Sequence, residues 1–294
     1  MRNAKIRLIR QLAAGVFVAG LGAAPAFAAP FFFSTGNVNG QMAIASRPDS
    51  PGNIEIEAAD DFVLSSQTRI TSTSFTGLLR GDDVTASSVT GIAIEIYRLF
   101  PKDSTNPPSG KVPTRVNSPS DVAFDTRDSI GGGLSFTGTT LAASFTAANS
   151  VRNGINPLPN QATGGEGAVT GTEVQFNITF STPFDLPADH YFFVPQVQLD
   201  AGDFFWLSSF RPIVPPGTAF TPDLQAWVRN ADLDPDWLRV GTDIVGGAPA
   251  PTFNAAFTLT GQTPELPEPG SLVLFGAAFL GLVGVRAKRT RHLC

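Results

Sequence analysis

Residues 172–180 read TEVQFNITF, in which Val174, Phe176, Ile178 and Phe180 alternate with Glu173, Gln175, Asn177 and Thr179. A period of two puts alternate side chains on opposite faces of an extended chain, whereas a helix would scatter them around its circumference. The stretch is therefore expected to be a half-buried strand. The same period governs TGIAIEIYRLF (90–100), with Ile92, Ile94 and Ile96 on one face and Ala93, Glu95 and Tyr97 on the other. ITSTSFTGLL (70–79) is rich in β-branched residues, and TFNAAFTLTG (252–261) alternates again. HYFFVPQVQL (190–199) and DFFWLSSF (203–210) are more continuously apolar, as buried strands are. Pro195 cannot donate to a ladder, so its strand is expected at an edge or at a bulge.

Between these runs lies turn chemistry, such as RPDSPGN, NGINPLPNQATGGEG and RPIVPPG. Pro101–Asp121 is too proline-rich for a helix and too long for a tight turn. It reads as an ordered surface loop, with a linker between two halves as the alternative. DLQAWVRNA (223–231) sets Leu224, Trp227 and Val228 at helical spacing behind Asp223, the pattern of a short helix. Many short strands without βα alternation point to an all-β fold, an antiparallel β-sandwich of jelly-roll type.

A single cysteine, Cys294, rules out an internal disulfide framework and cysteine-based metal sites, so the body must be held by its core. The 24 phenylalanines against two tyrosines supply that core with rings that carry no polar group to satisfy. Charge is unevenly spread. Four of the 20 basic residues lie in the first ten positions and four in the last nine, while all 25 acids lie within 29–270. An acidic body argues against nucleic-acid binding, which needs a cationic footprint.

The N-terminus has three parts: a basic stretch Met1–Arg10, an apolar stretch Leu12–Leu21, and the small-x-small site Ala26-Phe27-Ala28. This is the layout of a secretory signal peptide spanning 1–28, with signal peptidase expected to cut between Ala28 and Ala29. The C-terminus has its own order: prolines and acids from Pro264, an apolar run Ser271–Val285, then Arg286, Lys288, Arg289 and Arg291. Leu272, Phe275, Phe279 and Leu282 are joined by apolar residues on every face, which favours a transmembrane helix over a core helix. Its 15 residues span about 22 Å as a helix, against a hydrocarbon core of about 30 Å. The basic cluster prefers the cytoplasm, placing the body outside the inner membrane.

Reactive constellations are few. His190, in LPADHYFFVP, is the one body histidine, and nothing near any serine resembles a nucleophile elbow. It is expected to be a strand-end histidine capped by its neighbours. Asp60 and Asp61 are adjacent, so on a strand they would face opposite ways. Asp232, Asp234, Asp236 and Asp243 faintly echo a calcium loop, but Trp237 stands where such a loop needs glycine. Calcium is the one cofactor the sequence raises, and an acidic solvated turn is the alternative. Trp206, Trp227 and Trp237 invite a sugar-stacking reading; the plainer one is that they pack inside. No catalytic residue is assigned, and the chain is not read as an enzyme.

Pro267-Glu268-Pro269-Gly270, followed by the short apolar run and the basic tail, resembles the PEP-CTERM sorting signal of Gram-negative bacteria. The resemblance covers about 30 residues. It implies recognition of Pro267, Glu268 and Pro269 by exosortase, a membrane-embedded cysteine protease-transpeptidase, and transient residence in the inner membrane. ADDF (59–62) and AFTLTG (256–261) also resemble a domain found in such exported proteins, which bears on architecture and not on mechanism. The expected organisation is a signal peptide (1–28), a β-sandwich body (29–263) and a sorting signal (264–294). The expected protein is periplasmic, cell-surface or extracellular after processing, structural or adhesive in an exopolysaccharide or biofilm setting. A secreted glycan-binding module or carbohydrate-active enzyme on the same sandwich is the alternative.

Overall fold

The computed structural model describes residues 29–100, 109–155, 158, 161–210 and 224–264. Along them run β1 (Ala29–Ser34), β2 (Val38–Ala45), β3 (Ile56–Leu64), β4 (Thr68–Arg80), β5 (Val89–Arg98), β6 (Asp125–Asp128) and β7 (Leu134–Ala147). They continue with β8 (Asn149–Val151), β9 (Val169–Leu186), β10 (Asp189–Leu199), β11 (Asp203–Ser209), β12 (Trp227–Asn230), β13 (Leu238–Arg239) and β14 (Phe257–Thr263). Two sheets form a sandwich-like body. The first has the order β1-β14-β4-β11-β2-β8, with β9 on the other flank of β4 and β7 beyond β9. The second has the order β13-β12-β3-β10-β5-β6. The ladders are antiparallel except for β2 with β8.

β4 organises the first sheet. One flank pairs with β9 along nearly its whole length. The other is shared: β14 pairs from Arg69 to Phe75 and β11 from Gly77 to Arg80. The handover needs a glycine, because a Cβ on Gly77 would lie 2.5 Å from the Phe205 carbonyl oxygen and inside the Phe204 ring. Between the sheets, Phe176 of TEVQFNITF meets Phe75 of β4 and Phe204 of β11. Phe193 stacks on Phe257 at 4.9 Å, and Phe204 stands edge-on to Phe75 and Phe176 at 5.9 Å each. Trp206 is fully buried and its indole N–H donates to the Ala256 carbonyl at 3.0 Å. Offset and edge-on ring pairs add about 0.5–1.5 kcal/mol each beyond area burial.

The second sheet is covered on both faces. Ile56, Ala58, Phe62 and Leu64 of β3 join the main core, while Ala59 points the other way, into a smaller cluster with Tyr97, Phe192, Val194, Leu224, Trp227 and Trp237. This is why HYFFVP is apolar without alternation.

Two expectations are corrected here, and one alternative falls. The 223–231 stretch is no helix in its described part: Trp227–Asn230 is β12, laddered to β3 from Trp227↔Ala59 to Asn230↔Ile56. Trp227 and Val228 then face opposite layers, and the ladder outweighs the marginal stability of a nine-residue helix. Pro195 sits in a central strand, not at an edge. The β3 ladder stops at Phe193↔Asp60, and the Ser46 hydroxyl takes over, donating to the Pro195 carbonyl at 2.6 Å and accepting from the Ala58 N–H at 3.2 Å. β5 and β6, on either side of the 101–121 stretch, are neighbours in one sheet, so the alternative of a linker between two halves does not hold.

Candidate functional site

The outer face of the second sheet carries a buried polar network. Strand alternation brings Glu57 of β3, Glu95 and Tyr97 of β5 and Arg229 of β12 to that face. The Tyr97 hydroxyl lies 2.6 Å from Glu57 Oε1 and 2.9 Å from Glu95 Oε2, and Arg229 Nη2 donates to it at 2.9 Å. A tyrosine hydroxyl has one proton and two lone pairs. The single proton can serve only one carboxylate at a time, so Glu57 and Glu95 compete for it while Arg229 takes a lone pair. Burial, and then the charge of Glu57, push the Glu95 carboxyl up to about 7. Glu55 is raised too, chiefly by burial, while its Oε1 accepts from Gln196 at 2.8 Å.

Arg229 is fully employed. It pairs with Glu57 and, at 2.8 Å, with Asp234; it donates to the carbonyls of Asp121 and Pro235; and it lies 4.4 Å over the Trp237 ring. Two carboxylates flanking one group invite comparison with a glycosidase pair. Here the group between them is the protein's own tyrosine, and the cation above is spent on two carboxylates, two backbone carbonyls, the tyrosine hydroxyl and the Trp237 ring. The network's physical job is to clamp the 121–124 and 234–237 segments onto the sheet.

The other singled-out residues disperse. His190 is fully buried at the start of β10, with Nε2 2.6 Å from Asp61 Oδ2. Asp61 Oδ1 accepts the Leu224 N–H at 2.9 Å, and Asp60, facing the other layer, accepts the Ala255 N–H at 2.9 Å. The histidine–aspartate pair thus fixes the segment entering β12. The calcium echo does not hold. Asp234 pairs with Arg229, Asp236 with Arg115 at 3.0 Å and Asp243 with Arg239 at 2.7 Å, while Asp232 is exposed. Three arginines at three places pull the carboxylates apart, and among the described residues no group of histidine, cysteine and acids is arranged to hold a metal. Trp206, Trp227 and Trp237 are all buried, so none offers a sugar an open ring. Ala29 opens β1; Ala26, Ala28, Pro267, Glu268, Pro269, Cys294 and the apolar run lie outside the described residues. Among the described residues no helix is long and apolar enough to cross a membrane.

One cavity of about 240 Å³ opens on the outer face of the first sheet. It is lined by hydroxyls of Ser34, Ser74, Thr76 and Thr258, the amide of Gln175, the Leu141 side chain and Glu173. Glu173 is 7% exposed and makes no hydrogen bond or ion pair among the described residues. Burial raises its pKa. The alternation in 172–180 puts Glu173 on the solvent-side face, and nothing in that pattern says the site would be recessed. Neither a protein-family model, nor a curated protein, nor a solved structure matches this chain.

Proposed function

We propose that the chain is an exported surface or matrix-associated protein, sorted through its C-terminal segment by an exosortase that cuts near Pro267-Glu268-Pro269. The observation that carries this reading is the order in 264–294: proline-acid motif, 15-residue apolar run, basic tail, on a chain that begins with a signal-peptide layout. A span of about 22 Å suits a pause in a bilayer better than a lasting anchor. The body's ladder is compatible with both cuts. Ala29, expected to become the first residue, pairs with Thr263, the last residue of β14. Loss of what precedes Ala29 and follows Thr263 removes no strand from this pair.

In this reading the sandwich, of jelly-roll type, is a structural or adhesive body in an extracellular polysaccharide matrix, with no catalysis of its own. The saturated Glu57–Tyr97–Glu95–Arg229 network supports a structural role for that face. A glycan-binding module is the second reading, and the cavity at Glu173 favours it. Sorting is tested by Glu268→Ala in the native host. The variant body should fold and accumulate in the membrane fraction; normal release would count against recognition of the motif.

A further inference from the structure

Two adjacent rows on the outer face of the first sheet carry no charge over five strands; the next row along carries the Arg69–Asp185 pair. The ladder registers align Ser34, Thr258, Ser74, Asn177 and Thr137 in one row across β1, β14, β4, β9 and β7. Two residues along, a second row runs Phe32, Thr260, Ser72, Thr179 and Ser135. Hydroxyl and amide groups therefore recur about every 4.8 Å across the strands and about every 6.8 Å along them. Some are tied to each other, as Ser74 and Thr258 are at 2.7 Å. Phe32, at the end of the second row, is 68% exposed. On a body so rich in acids, these two rows offer hydrogen bonds without charge and one aromatic ring open to contact.

The cavity adjoins the first row, and Glu173 gives it direction. Glu173 is 7% exposed and lines the cavity, so a donor entering there meets a carboxylate that makes no hydrogen bond or ion pair among the described residues. The residues lining the cavity include no lysine, arginine or histidine, so an anionic ligand would meet only the like charge of Glu173. The volume lies below the roughly 300–1,000 Å³ of pockets for drug-sized molecules. It suits one ring of a longer molecule.

We propose that this cavity binds one residue of a neutral hexose polymer, whose hydroxyls donate to the Glu173 carboxylate while neighbouring residues cross the hydroxyl rows along β4 toward Phe32. Glu173 selects for donors, Thr76 and Gln175 orient the ring, Leu141 covers its apolar edge, and Phe32 contacts a sugar farther along the chain. The assignment rests on the adhesive part of the function proposed above and not on the sorting signal.

The test is calorimetric titration of the full chain with hexaoses of glucose, mannose and galactose, with hexagalacturonate and hexaglucosamine as the charged arms. At least one neutral hexaose should bind, with a Kd about tenfold or more weaker for Glu173→Leu, since a hydrogen bond to a charged group is lost. That variant should fold, because it removes an unpaired buried charge; if it does not, Gln175→Ala serves, with a loss of about threefold or more. Phe32→Ala should weaken the hexaose and leave the melting temperature unchanged. Failure of every neutral hexaose, equal binding by Glu173→Leu, or binding confined to either charged hexaose would overturn the proposal. Normal processing of the C-terminus without hexaose binding would sink this site and leave the sorting reading standing; binding without processing would do the reverse.

Discussion

Burial, and then the nearby charge of Glu57, raise the Glu95 carboxyl to about 7. The sign of the pH effect follows. A carboxyl whose pKa rises from 4.5 in the unfolded chain to about 7 in the fold binds more protons when folded between those values. Its contribution is therefore fully present below about pH 4.5 and is lost as pH rises through about 7. Glu95→Gln keeps a hydrogen-bond donor for the tyrosine oxygen without the titration. It should flatten stability between pH 5 and 8 and add about 1–2 kcal/mol at pH 8, discounted because Glu95 is only half-buried. Urea unfolding at several pH values checks this; an unchanged pH slope would refute the proton count. Sequence alternation placed Glu95 and Tyr97 together on one face. It could not show that the face is covered, because the covering segments, with Arg229 and Trp237, come from more than 130 residues later.

β12 shows the same limit at the scale of an element. Leu224, Trp227 and Val228 satisfy a helical template, yet the open edge of β3 takes the segment as a strand, and no local signal reports that edge. Strands with strong alternation were legible: 172–180 lies wholly in β9 and 90–100 matches β5 closely, as the continuously apolar 190–199 does β10. In 252–261 the alternation begins early, and the strand starts only at Phe257, because Ala255 and Ala256 instead bridge across to Ser208 and Leu207. Arg229 is what holds β12 and its neighbours to the outer face. Arg229→Met should cost about 3–5 kcal/mol, because Glu57 is then left buried without its cation. Glu57→Gln in the same chain should recover part of that loss. Equal stability of Arg229→Met and the parent in denaturant melts would show the network to be idle.

For the whole molecule, the two outer faces divide the labour. The second sheet's outer face is sealed by an ion-paired network, while the part of the first sheet's outer face over β1, β14, β4, β9 and β7 carries two rows rich in hydroxyls beside the cavity that Glu173 lines. The architecture was legible from period two and turn chemistry, because a sandwich is what many half-buried strands make of themselves. The recess at Glu173 was not, since it lies beside the place where β14 hands over to β11 along β4. Over this body the proposed history is two cuts, one on each side of a strand pair that joins Ala29 to Thr263. The measurement that tests it most directly is the intact mass of the mature protein isolated from its native host. A species beginning at Ala29 and lacking the apolar run and basic tail, free or carrying an added mass at its new C-terminus, is the expected result. A mature protein that still ends at Cys294 would contradict it.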